Sequence, residues 1–214
     1  MAEGDSMKIM VIADQESKQL YDFYEPSRLL GIDLIISCGD LKHEYLDFFA
    51  SVAKVPVLYV VGNHDNADAL EHCGCICIED SIFEYRGLRI LGLGGSMQYI
   101  PGAPNQYTER EMRRRIQKMW RKIKKKNGFD ILVTHAPAFE LNDMPDLPHR
   151  GFVCFKELLD KYRPGLFLHG HIHATYGTGF KREDQYHETR VINGFESHVI
   201  EYPEPDSGSD VGRK

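Results

Sequence analysis

Five apolar segments of strand length recur along the chain, and each is followed by a polar residue that can bind a metal ion. The segments are rich in branched residues, which favour β-strands. Parallel strands present their carboxyl ends at one edge of a sheet, so the residues that follow them are predicted to converge. In chain order the segments are MKIMVIA before Asp14, LIISCG before Asp40, PVLYVVG before Asn63 and His64, ILVT before His135, and LFLHG before His171 and His173.

Four stretches with helical spacing of apolar residues lie between these strands. They cover 17–30, with an interruption at Pro26, 44–53, 108–126 and 151–162. This alternation predicts an α/β fold with a largely parallel sheet. A second set of short apolar runs is typical of antiparallel strands, and the mixture predicts two β layers flanked by helices. These runs are 75–79, 82–85, 88–91, 175–180, 188–192 and 198–202.

The length of 214 residues, without a linker-like stretch, predicts one domain over residues 7–203. Residues 1–6 are interpreted as a leader or tag remnant, and 204–214, rich in Pro, Ser, Gly and Asp, as a disordered tail. No apolar run reaches the roughly 18 residues of a membrane span, and the N-terminus lacks a secretory signal. We therefore expect a cytoplasmic protein without a membrane partner, whose five cysteines are reduced.

Charge is distributed unevenly along the chain, whose net charge is −6. Residues 108–127 contain ten Arg or Lys and two Glu, a local +8, which leaves −14 for the rest. Thr108 and Glu111 form a capping-box pattern at the start of this segment. One face of the predicted helix is apolar, with Met112, Ile116, Met119, Trp120 and Ile123. The basic face is expected to be solvated rather than to bind nucleic acid stably; guidance of an anionic substrate and nucleic-acid binding are the alternatives.

The residues after the five strands indicate a metal site. Two Asp, one Asn and three His form a mixed oxygen and nitrogen set that suits Mn, Fe, Zn or Co. Mg and Ca sites rarely contain three imidazoles. In His171-Ile172-His173 the two imidazoles project to the same side of an extended chain, so each can bind one of two neighbouring metal ions.

Four sequence blocks in this order resemble the signature of the calcineurin-like metallophosphoesterases, and the likeness spans nearly the whole predicted domain. The blocks are Gly39-Asp40, Gly62-Asn63-His64-Asp65, Thr134-His135 and Gly170-His171-Ile172-His173. The segment HIHATYG from His171 resembles the small single-domain, phosphodiesterase-like branch. The resemblance implies a four-layer α/β/β/α sandwich with two mixed β-sheets flanked by helices.

The same resemblance implies a binuclear metal centre. Asp40 would bridge both ions, Asp14 and His173 would hold the first, and Asn63, His135 and His171 the second. A water shared by two divalent ions is deprotonated near neutral pH and can attack phosphorus. The implied reaction is hydrolysis of phosphomonoesters or phosphodiesters, with a phosphorylated small molecule or a nucleotide as substrate.

His64 directly follows a ligand, and its side chain is predicted to point towards the leaving group. General acid is the role that this position implies, with Asp65 holding the imidazole charged and oriented. A histidine that caps a turn is the alternative.

The first block departs from the family pattern, because Asp14-Gln15-Glu16 stands where D-x-H is usual. Glu16 either binds the first metal ion through oxygen or points elsewhere, as an acid at a helix start. As a ligand it would bring the charge of three carboxylates and one hydroxide to about −4, against about −3 with histidine. A more anionic site favours Mn or Fe, with Zn, Co or Ni as further candidates.

Two further groups are candidates for substrate binding. Gly95 and Ser96, in the run GLGGS, follow a strand and can direct backbone N–H groups towards a phosphate; a simple turn is the alternative. Arg150, together with His149, can clamp a phosphate oxygen; a surface loop is the alternative. The remaining histidines are interpreted as structural or solvated: His43, His72, His169, His187 and His198.

A protein of another class is the rival interpretation. A scaffold that retains the fold but has lost catalysis would bind protein partners, as the phosphoesterase-like subunit of the retromer coat does. Glu16 supports this interpretation, whereas the retention of the other six ligand candidates and of His64 opposes it, because such polar residues are costly to bury without a metal ion or a partner.

Overall fold

The computed structural model describes residues 6–177 and 179–204. The predicted leader and tail therefore lie outside the described residues, apart from Ser6 and Glu204. Within the described part of the chain, no helix is both long and apolar enough to cross a bilayer.

Thirteen strands and four α-helices are present in these residues. The strands are β1 (Ser6–Ile12), β2 (Leu34–Ser37), β3 (Val57–Tyr59), β4 (Ile76–Cys77), β5 (Ser81–Tyr85), β6 (Leu88–Leu93), β7 (Ser96–Met97), β8 (Gln106–Tyr107), β9 (Ile131–Thr134), β10 (Leu166–His169), β11 (Glu183–Tyr186), β12 (Thr189–Asn193) and β13 (His198–Pro203). The helices are α1 (His43–Val52), α2 (Ala67–Leu70), α3 (Glu109–Lys125) and α4 (Val153–Tyr162). Three 3-10 helices cover Pro26–Leu29, Leu147–His149 and Ala174–Tyr176.

The large strands form two mixed sheets. The first has the order β13-β1-β2-β3-β4 and the second the order β11-β12-β10-β9-β6-β5. In each sheet the inner strands are parallel, and antiparallel partners lie at the edges: β13 beside β1, β11 beside β12, and β5 beside β6. The parallel strands that precede the predicted ligands therefore end at a common edge of each sheet.

Three apolar clusters hold four layers together. The inner faces of the two sheets share one buried cluster, which includes Val11, Ile36, Ile131 and Leu168. The outer face of the first sheet packs against α1, and that of the second packs against α3 and α4. The predicted α/β/β/α sandwich with two mixed sheets flanked by helices is confirmed.

Helix α3 has the predicted N-terminus and buried face. Glu111 N–H donates to the Thr108 hydroxyl, and Thr108 N–H donates to the Glu111 carboxylate, so the capping box is complete. Met112, Met119 and Ile123 are buried against the second sheet. The spacing predicts Trp120 on the same face, but its side chain is 50% exposed.

Several local predictions were wrong. Residues 17–30 contain only turns and the 3-10 helix Pro26–Leu29, because Glu25 is held extended before proline. The run 175–180 contains no strand in its described residues: it begins inside the 3-10 helix Ala174–Tyr176, which Gly177 ends at φ 108°. Strand β4 pairs with β3 in parallel rather than antiparallel orientation, since the crossover through α2 separates them.

Candidate metal centre

Three predicted ligands lie where the backbone turns sharply beyond a strand. Asp14, Asp40 and His171 have φ values of 63°, 56° and 70°. Residues with a side chain rarely adopt this left-handed conformation, which costs about 1–3 kcal/mol and recurs at functional sites. Left-handed residues thus follow β1, β2 and β10, although nine other non-glycine residues among those described also have a positive φ.

Asp40, His135 and His171 form a compact group at this edge. One ligand atom from each residue lies within 4.8 Å of those of the other two. Among the described residues, no other group of three or more His, Cys, Asp or Glu side chains has this geometry. Asp40 follows a strand of the first sheet, whereas both histidines follow strands of the second. The two sheets thus meet at one set of ligands.

The surroundings of His135 favour a proton or a metal ion on its Nε2. Its Nδ1 lies 2.8 Å from the Cys38 carbonyl oxygen, which can only accept a hydrogen bond, so Nδ1 carries the proton. Its Nε2 then faces two further acceptors, Asn63 Oδ1 at 2.9 Å and Asp40 Oδ2 at 3.4 Å. A lone pair facing two oxygens is favourable only when a proton or a metal ion lies between them.

The electrostatics of this pair agree with the geometry. Burial alone would lower the pKa of His135, but the Asp40 carboxylate raises it to about 9. Burial alone would raise the pKa of Asp40, but the charge of His135 and the hydrogen bonds to Asp40 hold it well below its ordinary value. The pocket therefore favours a positive charge beside an ionised carboxylate, which is also what a bound metal ion provides.

His171 is held in the neutral form that binds metals. Its Nε2–H donates to the Pro148 carbonyl oxygen at 2.8 Å, which leaves Nδ1 free as a ligand atom. Burial, followed by the charge of His135, lowers the pKa of His171 to about 3. A neutral imidazole at neutral pH needs no deprotonation before it binds a cation.

Asp14 and His173 form a second pair of predicted ligands beside the compact group. Asp14 Oδ1 lies 3.6 Å from His173 Nε2, and the Asp14 side chain is completely buried. Both Asp14 carboxylate oxygens accept from the His171 backbone N–H at 2.9 Å. This contact links the pair to the compact group, because the backbone of His171, a member of that group, fixes Asp14.

Glycines make room for the carboxylates. A Cβ at Gly62 would lie 2.0 Å from Asp40 Oδ1, and one at Gly170 would lie 2.8 Å from Asp14 Oδ2. Both distances are shorter than any carbon–oxygen contact allows. The glycines in the blocks Gly62-Asn63 and Gly170-His171 are therefore steric requirements of the site.

A sequence profile of the calcineurin-like phosphoesterases matches residues 7–175, a range that contains every predicted metal ligand. The chain belongs to this family. An uncharacterized protein of Methanocaldococcus jannaschii is 25% identical over 189 residues, which cover 82% of this chain and 78% of that protein. The crystal structure of TT1561 from Thermus thermophilus is 16% identical, covers 94% of this chain and 100% of its own, and has a TM-score of 0.63. At this level of sequence identity, the similarity between the two structures shows a shared fold.

Family membership implies divalent metal ions, and the side chains present in this chain fit them. The buried Nε2 of His135, directed at two oxygens, is the feature that a cation would satisfy. Asp40, Asn63, His135 and His171 provide four nitrogen or oxygen donors of the type that transition metals prefer. Asp14 and His173 provide two more.

Glu16 lies outside the compact group. Its carboxylate is 3.4 Å from Lys42 Nζ, in an ion pair whose lysine is largely exposed. The carboxylate that stands where the family pattern usually has histidine therefore has a partner of its own. Among the described residues, Glu16 does not form a group of three with Asp14 and His173 in which all ligand atoms lie within 4.8 Å of one another.

His64 and Asp65 have different surroundings. The His64 imidazole is exposed, and its backbone N–H donates to Asp40 Oδ1 at 2.8 Å. Asp65 Oδ2 accepts from the backbone N–H groups of Asp40 at 2.9 Å and Gly62 at 2.7 Å. Burial, only partly offset by the hydrogen bond from Gly62, raises the pKa of Asp65 to about 6. Asp65 thus fixes the turn that carries Asp40, and among the described residues no hydrogen bond joins it to the His64 imidazole.

A groove of about 490 Å³ opens beside Asp40 and His64. Polar walls come from Lys42, His43 and Glu44, and apolar contributions come from Leu41, Ala69 and Leu70. The groove therefore adjoins both a predicted metal ligand and the predicted general acid.

The predicted substrate-binding residues lie in other environments. The Gly95 N–H donates to the Val61 carbonyl at 2.7 Å, and the Ser96 N–H donates to the Asn105 carbonyl at 3.0 Å. Both N–H groups are therefore occupied within the fold. Arg150 lines a separate surface cavity with Phe139 and Asp143, to which none of the predicted metal ligands contributes. These three residues have no part in the function proposed below.

Three aromatic residues lie against the predicted ligands: Tyr176 and Tyr99, which the site prediction omitted, and His149, which it named only with Arg150 as a possible phosphate clamp. The Tyr176 ring stacks on His173 with centroids 4.5 Å apart, and the His149 ring lies 4.8 Å from Tyr176 and 5.3 Å from His171. Asn63 Nδ2 donates to the Tyr99 hydroxyl at 3.3 Å. The pattern HIHATYG already contained Tyr176, whereas nothing in the sequence around Tyr99 connected it with Asn63.

Addition of Mn²⁺ should raise the melting temperature of the metal-free protein by several degrees. A ligand at 100 times its dissociation constant stabilises the native state by about 2.7 kcal/mol, and each kcal/mol corresponds to about 2–4 °C in a chain of this size. Asp40→Asn, which tolerates the left-handed backbone, should abolish most of this shift in calorimetry. His72→Ala, which removes an exposed histidine that does not line the groove, is the control, and an undiminished shift in Asp40→Asn would locate the cation elsewhere.

Proposed function

We propose that this phosphoesterase hydrolyses phosphomonoesters or phosphodiesters at a centre of two divalent ions. The observation that carries the proposal is the group of Asp40, His135 and His171, in which the Nε2 of a buried histidine faces only oxygens. Asn63, His135 and His171 would hold the second ion, Asp14 and His173 would hold the first, and Asp40 would contribute to both. When bound, the ions would polarise the phosphate and lower the pKa of the attacking water.

The chain's own residues would then position the ester and protonate the leaving group. His64 and Asp40 line the same groove, so a leaving group in the groove lies next to an exposed imidazole. The backbone hydrogen bond from His64 to Asp40 Oδ1 fixes the base of that side chain relative to the ligands. We assign the role of general acid to His64. Asp65 positions the turn, because its carboxylate holds the Asp40 and Gly62 amides.

Within this proposal a diester with an organic leaving group, such as a nucleotide or cyclic nucleotide, fits the groove better than a phosphoprotein. The groove combines Lys42 and His43 with the apolar side chains of Leu41 and Leu70, a mixture that suits a compact leaving group with polar and apolar parts. We also propose a reducing, cytoplasmic location, since all five cysteines are unpaired thiols.

A scaffold without catalysis is the second candidate, and the Glu16–Lys42 ion pair is the observation that favours it. If the Glu16 carboxylate stays paired with Lys42, the first ion has fewer protein ligands. Such a protein would bind metal ions weakly at that half and show no turnover.

The two candidates differ in turnover. We expect the Mn²⁺-loaded protein to hydrolyse bis(4-nitrophenyl) phosphate faster than 4-nitrophenyl phosphate, and Asp40→Asn to reduce both rates by at least about 10²-fold, because it removes the carboxylate between the ions. Nitrophenolate release and metal content are measured on the same samples. Two bound ions with no turnover on a broader panel of phosphate esters would favour the scaffold.

The His64 assignment predicts a dependence on the leaving group. His64→Ala should slow hydrolysis of an alkyl phosphodiester by about 10²- to 10⁴-fold, because an alkoxide needs a proton as it departs. Nitrophenolate is stable without protonation, so the same variant should lose far less on the nitrophenyl ester. His72→Ala serves as the matched control, and equal losses on both esters would refute the acid role.

Glu16 determines which metal ion the centre prefers if its carboxylate turns from Lys42 to the first ion. Glu16→His should then raise zinc affinity or the zinc-supported rate, because imidazole is a softer ligand and reduces the negative charge of the site. Zinc and manganese affinities are measured by titration calorimetry for the wild type, Glu16→His and Glu16→Gln. Identical affinities in all three proteins would show that Glu16 acts only through Lys42.

A further inference from the structure

The outward face of α3 carries six cations and no acid. We call Arg110, Arg114, Lys118, Arg121, Lys124 and Lys125 the basic face; all six are exposed. At 3.6 residues per turn they fall within about a third of the helix circumference, which they share only with Gln117. Glu109 and Glu111 lie outside this sector. Most of the positive excess of residues 108–127 is therefore concentrated on one surface.

Three cations on the flanks of α3 or just beyond it are paired with acids, whereas Lys122 and the basic face have no ion pair among the described residues. Arg113 pairs with Glu109 and Glu157, and Arg115 pairs with Glu79 and Asp80. Lys126, beyond the helix, pairs with Glu84. Within residues 6–177 and 179–204, no carboxylate forms an ion pair with a member of the basic face, although the chain outside this helix has an excess of acids.

This arrangement opposes the stability of the helix. Arg110, Arg114 and Lys118 follow one another at intervals of four residues, as do Arg121 and Lys125. Like charges at this spacing repel and destabilise a helix. A polyanion that binds along the face would relieve the repulsion and release counterions.

An aromatic ring lies at the edge of the basic face. Trp120 is the only tryptophan of the chain, and half of its side chain is exposed. Lys124 Nζ lies 5.6 Å from the centre of its ring. On the other side of Trp120, a shallow cavity between α3 and α4 is lined by Ile116, Leu158 and Tyr162. A flat ring beside a row of cations is the combination with which proteins bind unpaired bases and their phosphates together.

We propose that the basic face and Trp120 bind single-stranded nucleic acid, with phosphates along the cations and a base stacked on the indole. An acidic peptide would satisfy the charges but has no base to stack on Trp120, and the bases of a duplex are already stacked inside it. The face extends over about 22 Å from Arg110 to Lys125, the length of a short oligonucleotide segment. This site goes beyond the proposed function and is independent of the metal centre.

Binding is tested with a fluorescein-labelled oligouridylate of about 12 nucleotides. We expect quenching of the Trp120 fluorescence and an affinity that falls about 300-fold between about 50 and 200 mM salt, since six phosphate contacts give a slope near −4 on a double-logarithmic plot. The double variant Arg114→Ala, Arg121→Ala should weaken binding at low salt and reduce the slope by about 1.4. Trp120→Ala should weaken binding by about fivefold or more, read by anisotropy of the label.

The control is the double variant Lys18→Ala, Lys54→Ala, which removes two exposed lysines outside α3 and should leave affinity and slope unchanged. Melting curves and Mn²⁺ binding check that every variant is folded and keeps its metal centre. Absence of binding would overturn the proposal, as would equal affinity for a duplex of the same sequence or for polyglutamate. Nucleic-acid binding is measured with and without a chelator. Binding that persists when metal ions are removed shows that this site does not depend on the proposed hydrolysis.

Discussion

The whole site depends on the lone pair of one buried imidazole. The Cys38 carbonyl holds the proton of His135 on Nδ1, so a neutral ring would direct the Nε2 lone pair at the oxygens of Asn63 and Asp40. Such an arrangement is unfavourable until a cation lies between the three atoms. The fold must hold these acceptors together before the ion arrives, which requires strands from both sheets to end at the same place.

The left-handed backbone at three predicted ligands costs free energy, and the apolar core of the sandwich provides the stability that offsets this cost. Asp14, Asp40 and His171 sit in left-handed turns that cost about 1–3 kcal/mol each. Gly62 and Gly170 remove the Cβ atoms that would collide with the two carboxylates. Three buried apolar clusters on both faces of two sheets, each mostly Leu, Ile, Val and Phe, provide the opposing free energy.

The strands before the ligands could be predicted because their apolar runs are continuous, as expected for strands buried on both faces. Residues 17–30 were predicted wrongly because apolar spacing there resembled a helix, although the turn after Asp14 and proline at position 26 leave room only for a 3-10 helix. Contacts that depend on tertiary structure, such as Tyr99 with Asn63 and Tyr176 with His173, have no local signal. Among the described residues, the lack of acidic partners for the basic face of α3 likewise became visible only when the partners of Arg113 and Arg115 were known.

The replacement of histidine by Glu16 connects two parts of the site that would otherwise be separate. Glu16 follows Asp14, at the half of the centre that His173 shares, and its partner Lys42 lines the groove beside His64. A carboxylate that turns towards a metal ion must release this lysine, whose charge would then face the groove. A carboxylate that stays with Lys42 neutralises it and makes the groove less attractive to an anionic leaving group. Under the proposed function, metal binding by Asp14 and His173 and the charge of the groove would therefore be coupled through a single side chain, which a neutral histidine at position 16 could not provide.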